Sequence, residues 1–462
     1  MTRSTTDTGL ALADGESRRH KRLATIERSL AGRHARERRF RRMGLAAVST
    51  GLVLVAILFA SILWRGVPAF WQATLYLDVY LDPEVIQVEE RPVREAGESP
   101  AQFREREIAW MSQLSLVNWN GLIDEALKAQ LPGEIESRQS RDLRALVASG
   151  ERFALRDRVI ENPELIGQTV TVKMLAGANV DVWLKGNIDR TLPDRQQQLS
   201  AQTREWADDL YEREVIRNAF STALFLNPDS RSSAASAGLA GAFMGSLFMM
   251  LIVIALSVPI GVSSAIYLEE FAPKNRITDL IEININNLAA VPSIVFGLLG
   301  AAIFIGYLRL PLSAPLVGGL VLTLMTLPTI IIATRAALRS IPPSIRQAAL
   351  GIGASRVQTV FHHVLPLALP GILTGSILGV AQALGETAPL LLIGMNAFVA
   401  NVPSSPLDQA TALPVQIYLW QGNELRNFFE ARTSAAIIVL LALMLSLNAV
   451  AIWLRKKFET RW

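Results

Sequence analysis

One carboxylate lies inside a long apolar run. It is Glu386, in Ala383–Gly394 (ALGETAPLLLIG). An ionised carboxylate at mid-membrane costs at least about 2.5–3.5 kcal/mol on insertion scales, so it should face a polar pathway or a partner, not lipid. Its setting fits: it lies between Gly385 and Thr387, with Pro389 following. Glycine allows close backbone approach, and proline frees a carbonyl one turn earlier to meet a solute or water. Such a carboxylate can accept a hydrogen bond from a solute, pair as a gate with a cation such as Arg335, or simply hold helices together. Enzymatic chemistry has less support. No G-x-x-x-x-G-K-[ST] loop and no Gly-Lys pair occurs, so ATP phosphates have no usual cradle, and no G-x-S-x-G elbow offers a nucleophile. The adjacent His362 and His363 do not share a helix face and have no nearby carboxylate, which reads as a solvated loop, not a metal site. With no cysteine, disulfides and thiolate metal sites are excluded.

The elements that must position Glu386 are membrane helices. Half of the 462 residues are hydrophobic and 19% are charged, with a mean hydropathy of +0.30, too apolar for one ordinary water-soluble domain. Gly44–Trp64 is free of charge and long enough to cross about 30 Å of hydrocarbon. A cleaved signal peptide competes with this reading, but a leader of 43 residues is too long for one. Further spans are expected at 238–266, 285–307, 312–334, 366–394 and 433–454, making six. Residues 1–43 form a basic arm with 12 Lys/Arg against 5 Asp/Glu, and the tail 455–462 carries Arg455, Lys456, Lys457 and Arg461. Both termini should therefore be cytoplasmic, with 267–284 and 335–365 inside and 65–237 and 395–432 outside. The loop 335–365 agrees, carrying Arg335, Arg339, Arg346 and Arg356 and no acid. The net charge of +4 and pI near 9.5 thus reflect topology, not a nucleic-acid partner.

The segment 65–237 is polar, with 20 Lys/Arg against 27 Asp/Glu, and long enough to bury its own core. Gln168–Leu184 alternates β-branched and polar residues around Ala-Gly-Ala-Asn and is expected to form a hairpin. Residues 101–118, 136–149 and 193–217 read as helical, giving an α+β domain, and Ser230–Ser236 reads as a linker.

From Ile341 the chain runs IPPSIRQAALGIGASRVQTVFHHVLPLALPG. Pro342 and Pro343 stop one helix and open another; Gln347-Ala348-Ala349 lies in the new one. Gly351 and Gly353 break that helix, and a second short helix should end before Leu365-Pro366. Two short helices bent at glycine make either a plug for a partner's cleft or an amphipathic connector.

This stretch resembles the coupling motif of ABC importer permeases, EAA, three residues, G, nine residues, I-x-L-P. The correspondence is carried by Gln347, Ala348, Ala349, Gly353, His363, Leu365 and Pro366, with Gln347 in place of Glu and His363 in place of Ile. Two more runs, GVSSAIYLEEFAPKNRITDLIEININNLAAVPSIVFGLLG from Gly261 and ALGETAPLLLIG from Ala383, are similar to the PstA-type permeases of phosphate importers. The resemblance covers about 238–454. Gln382 departs from it, since many relatives place an arginine there, one turn before the Glu of GET.

The resemblance implies a mainly α, polytopic protein with a MetI-like permease core of five helices at 238–454, beside the anchor at 44–64 and the extra domain at 65–237. It implies a multi-pass inner-membrane permease subunit that moves inorganic phosphate inward and is not itself an enzyme. The expected substrate pathway holds Glu386, Thr387, Gly385, Gln382 and Arg335, with Glu386 accepting a hydrogen bond from a protonated phosphate hydroxyl. Implied partners are a homologous PstC-type permease, a PstB-type ATPase pair carrying ATP and magnesium, and a PstS-type periplasmic phosphate-binding protein; the chain itself needs no cofactor. A permease for sulfate or molybdate is the nearest alternative. A membrane-anchored sensor would need a cytoplasmic effector domain, and an ion-coupled transporter would need several intramembrane ionisable residues or a repeat.

Overall fold

The structure is a computed structural model that describes residues 6–133 and 135–458; Arg461 and the outermost residues of the arm and tail lie outside that range. The chain forms two compact units, residues 1–63 and 64–462. The first is built from α1 (Thr6–Gly66), one helix that carries the basic arm straight into the apolar stretch. No proline interrupts the sequence before Pro68, and the helix ends two residues short of it.

In the second unit a three-stranded antiparallel sheet has the order β2-β1-β3, with β1 (Trp71–Tyr80) at its centre. β1 pairs with β2 (Thr169–Leu175) from Thr74↔Leu175 to Tyr80↔Thr169, and with β3 (Ile216–Phe220) from Trp71↔Phe220 to Leu75↔Ile216. The helices of this domain are α2 (Pro100–Leu116), α3 (Trp119–Gln130), α4 (Ser140–Arg144), α5 (Glu151–Glu161), α6 (Ala178–Leu184), α7 (Ala201–Glu212) and α8 (Thr222–Leu226). Their apolar faces and the sheet enclose Leu75, Leu77, Leu114, Leu127, Leu143, Leu155 and Leu210, all fully buried. Ser99 opens α2 with a capping box to Gln102.

Two expectations for this domain fail. The hairpin at Gln168–Leu184 does not form, because β2 pairs with β1 and the chain turns at Gly177 into α6. There Asp181 Oδ1 accepts the Ala73 N–H at 2.7 Å while Val180, Val182 and Trp183 are buried, so tertiary contacts with β1 outweigh the local β pattern. The helix expected over 136–149 is reduced to α4, because Val147 bridges to Ala176 and Ala148 N–H bonds Leu175 O at 2.9 Å, extending the sheet.

The remaining helices are α9 (Ala240–Ile266, continuing to Phe271), α10 (Arg276–Ala289), α11 (Ser293–Gly300, continuing to Tyr307), α12 (Pro315–Arg339), α13 (Pro343–Gly351), α14 (Arg356–Gln358), α15 (Leu365–Gly385), α16 (Ala388–Leu392), α17 (Leu413–Gln421) and α18 (Arg426–Phe458). Among the described residues five helices are long and apolar enough to cross a membrane: Gly32–Phe70, Ala240–Phe271, Pro315–Arg339, Arg356–Gly385 and Arg426–Lys457. The span expected at 285–307 is broken: α10 and α11 meet at 101°, so a sixth span exists only if that pair counts as one. Pro292 supplies no N–H and forces Val291 out of helical geometry. Small residues let the core helices touch. A Cβ on Gly319 would lie 2.7 Å from Ile252, and one on Gly375 would lie 2.3 Å from the Ala333 side chain.

Candidate functional site

The loop after α12 folds as two helical pieces around Gly353, whose φ is +91°, a conformation that favours glycine. Gly353 N–H bonds Leu350 O at 3.0 Å and Ala354 N–H bonds Ala349 O at 3.1 Å, a Schellman turn closing α13. Gly351 remains inside α13, so only Gly353 makes the bend. Ala349 is buried against the loop, while Gln347 and Ala348 are exposed. Leu350, Ile352, Val357 and Phe361 stand exposed around the turn and form an apolar knob.

The second piece does not stop before Leu365-Pro366. From Arg356 the chain stays helical to Gly385. A wider turn over Thr359–Val364 absorbs the donor that Pro366 lacks, so proline is carried through without a break. The knob is therefore continuous with a membrane helix.

An ion network ties α13 to the other helices. Arg346 bonds Glu270 at 2.6 Å and the carbonyls of Ile341 at 2.8 Å and Leu338 at 3.0 Å. Arg335 bonds Glu269 at 3.2 Å and also pairs with Glu282, and Arg339 reaches Glu269 at 2.9 Å. Glu269 and Glu270 lie on the continuation of α9 and Glu282 on α10, so the network joins α9, α10, α12 and α13. Sequence reasoning missed these partners by taking 267–284 as a plain loop. The signal available was the acidic pair in YLEEF set against an arginine-only loop.

Glu386 sits at a break, not in mid-helix. α15 ends at Gly385, Glu386 is extended at φ −76° and ψ 126°, and Thr387 opens the short α16. Its side chain is half-buried, with no ion-pair partner among the described residues. Gly385 has open space where a Cβ would be, and Gln382 is exposed. α16 packs on α11, where a Cβ on Gly297 would lie 2.7 Å from Pro389 Cα. Two interrupted helices thus meet beside Glu386.

Arg335 is not the partner of Glu386. Ala337 packs on Gly371, Ala333 on Gly375 and Ile330 on Gly379, so α12 and α15 run antiparallel. That register sets Glu386 roughly 20 Å from Arg335 along α12, at 1.5 Å per residue. The expected gate between them is excluded in this conformation.

Arg432, unremarked in the sequence, is a buried cation on α18. It donates to Ala235 O at 2.8 Å, to Gln72 Oε1 at 2.9 Å and to Ala237 O, with Phe428 stacked 4.5 Å away. It clamps the last span to β1 and to the linker before α9.

Residues 257–462 match the family model described as a binding-protein-dependent transport system inner membrane component, and residues 27–194 match a domain of unknown function, DUF3333. A probable ABC transporter permease protein YqgI of Bacillus subtilis is 31% identical over 50% of this chain and 82% of its own length. The phosphate transport system permease protein PstA of Xylella fastidiosa is 32% identical over 48% of this chain and 76% of its own. Among solved structures, an inward-facing MetNI methionine ABC transporter is 18% identical over 48% of this chain and 96% of its own, with a TM-score of 0.38. With relatives of this identity aligned along most of their length, and with the transport family model covering residues 257–462, the chain belongs to the inner-membrane permeases of ABC transporters, in the group that includes the PstA-type proteins.

Proposed function

We propose that this chain is the permease subunit through which an ABC importer carries inorganic phosphate across the inner membrane. The observation that carries the reading is the exposed apolar knob around Gly353, rooted through α14 and α15 in the same helix that ends at Glu386. The likeness to phosphate permeases named PstA supports the cargo.

The chain works with an ATPase and a substrate-binding protein, here assigned as a PstB-type pair and a PstS-type phosphate-binding protein, and with a PstC-type second permease. ATP and magnesium belong to the ATPase. The basic arm and tail put both termini in the cytoplasm, the knob on the same side, and residues 65–237 outside. Closure of the ATPase pair moves the knob as a rigid body, and the Arg346–Glu270 and Arg335–Glu269–Glu282 contacts carry that motion to α9, α10 and α12. At the far ends of these helices Glu386, Gly385, Thr387 and Gln382 line the pathway. Glu386 accepts a hydrogen bond from a protonated phosphate hydroxyl, while backbone N–H groups at the helix breaks and the second permease supply compensating positive charge.

The test is reconstitution of the four components in liposomes with labelled phosphate and unlabelled sulfate or molybdate as competitors. ATP-dependent phosphate uptake that requires this chain and is indifferent to the competitors is expected. Accumulation of sulfate or molybdate in place of phosphate would overturn the cargo assignment.

A further inference from the structure

An aromatic cluster sits where the sheet domain joins the spans. Phe225 stacks between Phe70, 5.7 Å away, and Phe220, 5.6 Å away, and Trp71 meets Phe220 edge-on at 6.3 Å. Packing has not hidden the cluster. Trp71 is 46% exposed, Phe220 52% and Phe225 37%; Leu226, the residue after Phe225, is 72% exposed, and Trp64, in the last turn of α1, is 84% exposed. Several large apolar side chains in one place are an unusual surface for water.

Its height is fixed by two membrane helices, α9 and α18. Trp64 ends the charge-free run that begins at Gly44. Two residues on, a Cβ at Gly66 would lie 2.8 Å from the Ser434 backbone, where the apolar part of α18 begins. Leu239, which precedes α9, donates to Leu224 O at 2.7 Å, and Ser221 N–H bonds Phe70 O at 2.8 Å. The cluster is therefore held at the level where α9 and α18 leave the hydrocarbon. An exposed Arg65–Glu430 ion pair lies on the same rim, and among the described residues neither the Trp64 nor the Trp71 indole N–H has a protein acceptor.

We infer that Trp64, Trp71, Phe220, Phe225 and Leu226 form a foot by which the sheet domain rests in the interfacial layer of the lipid bilayer. Aromatic rings with an apolar body and a free N–H are suited to the depth of ester carbonyls and headgroups, and a paired ionic rim is suited to the layer above. The domain is then seated on the membrane as well as tethered to it. This surface goes beyond the transport reading and does not depend on the cargo.

The chain has no cysteine, so single-cysteine variants carry an unambiguous label. Nitroxides at F220C and L226C, with T169C as control, are to be measured in the full chain within its complex in phospholipid nanodiscs. The control is on β2, paired with Tyr80 at the far end of β1, about 30 Å from Trp71 at 3.4 Å per residue. Collision with oxygen reports lipid, and collision with a water-soluble nickel chelate reports solvent. The expected result is several-fold higher oxygen than nickel accessibility at 220 and 226 and the reverse at 169. Nickel accessibility at 220 and 226 equal to that at 169 would show a surface facing water. Exclusion of both reagents would show a surface covered by protein. Either result overturns the inference.

Discussion

At the scale of single residues, two carboxylates make opposite demands on their surroundings. Glu386 stands half-buried at a helix break with no ion-pair partner among the described residues, and the proposed pathway has it accept a hydrogen bond from a solute. Glu386→Gln keeps the shape and one acceptor but removes the charge; phosphate uptake at matched membrane abundance should fall at least tenfold, while insertion is unchanged. Normal uptake would remove Glu386 from the pathway, and lost uptake with lost abundance would make it a structural residue. Glu151, in the sheet domain, is 8% exposed, and burial pushes its carboxyl up to about 7 from an ordinary 4.5, a Leu175 backbone contact offsetting part of the rise. Because the folded form holds the proton more tightly, its contribution to stability is complete below about pH 4.5 and is lost as pH rises to about 7. The loss is about 3 kcal/mol, since each tenfold difference in proton affinity is worth about 1.36 kcal/mol. Melting of the full chain across pH 5 to 8 should show a decline that Glu151→Gln flattens. Parallel curves for the two proteins would contradict this.

At the scale of elements, the loop after α12, proposed to couple to the ATPase, depends on one backbone conformation and one ion pair. Gly353→Leu meets no neighbour within 4 Å, so its cost is the left-handed φ of +91° itself, about 1–2 kcal/mol for a residue with a Cβ. The turn should open and uptake should be lost with the protein still in the membrane. Gly351→Ala, inside α13 and free of positive φ, should retain uptake and co-purify with the ATPase. Equal behaviour of the two variants would reduce the loop to a connector. The Arg346–Glu270 pair joins α13 to α9 with Glu270 only 8% exposed, so removing Arg346 leaves a buried carboxylate at a cost of about 3–5 kcal/mol. Arg346→Ala should leave ATP hydrolysis running with little transport. The double exchange Arg346→Glu with Glu270→Arg should recover part of the coupling, and failure of any rescue together with normal transport in the single variant would argue against the clamp.

At the scale of the whole molecule, the arrangement of charge along the chain sets the topology. In the proposed orientation the twelve Lys/Arg of residues 1–43 and Arg455, Lys456 and Lys457 in the last turn of α18 face the cytoplasm. Fusions of a reporter active only outside the membrane should therefore be active after Gly97 and silent after Gly351. The opposite pattern would invert the protein. Arg432 gives this topology a mechanical consequence, since its bonds to Gln72 and Ala235 make the sheet domain and the last span one body.

The sequence by itself determined most of the stretches that enter lipid, because long apolar runs with at most one charge have few other stable fates. It also determined the turn at Gly353, where the glycine matches the local backbone conformation, and the helical course of Pro100–Leu116, which opens with its own capping box. Its account of Gln168–Leu184 failed because the strand's partner lies about ninety residues upstream and a local β pattern does not name it. The bend at Pro292 was written in the proline, yet apolar composition alone does not reveal whether a span is straight or broken. Tertiary structure alone decided who pairs with Arg335. Glu269, Glu282 and Glu386 are all acids within one chain; the packing of α9 and α10 on α12 brings the first two into contact with Arg335, while the antiparallel register of α12 and α15 holds Glu386 about 20 Å away. Ion pairs between helices depend on where the helices pack, which is a property of the folded bundle and not of any segment read singly.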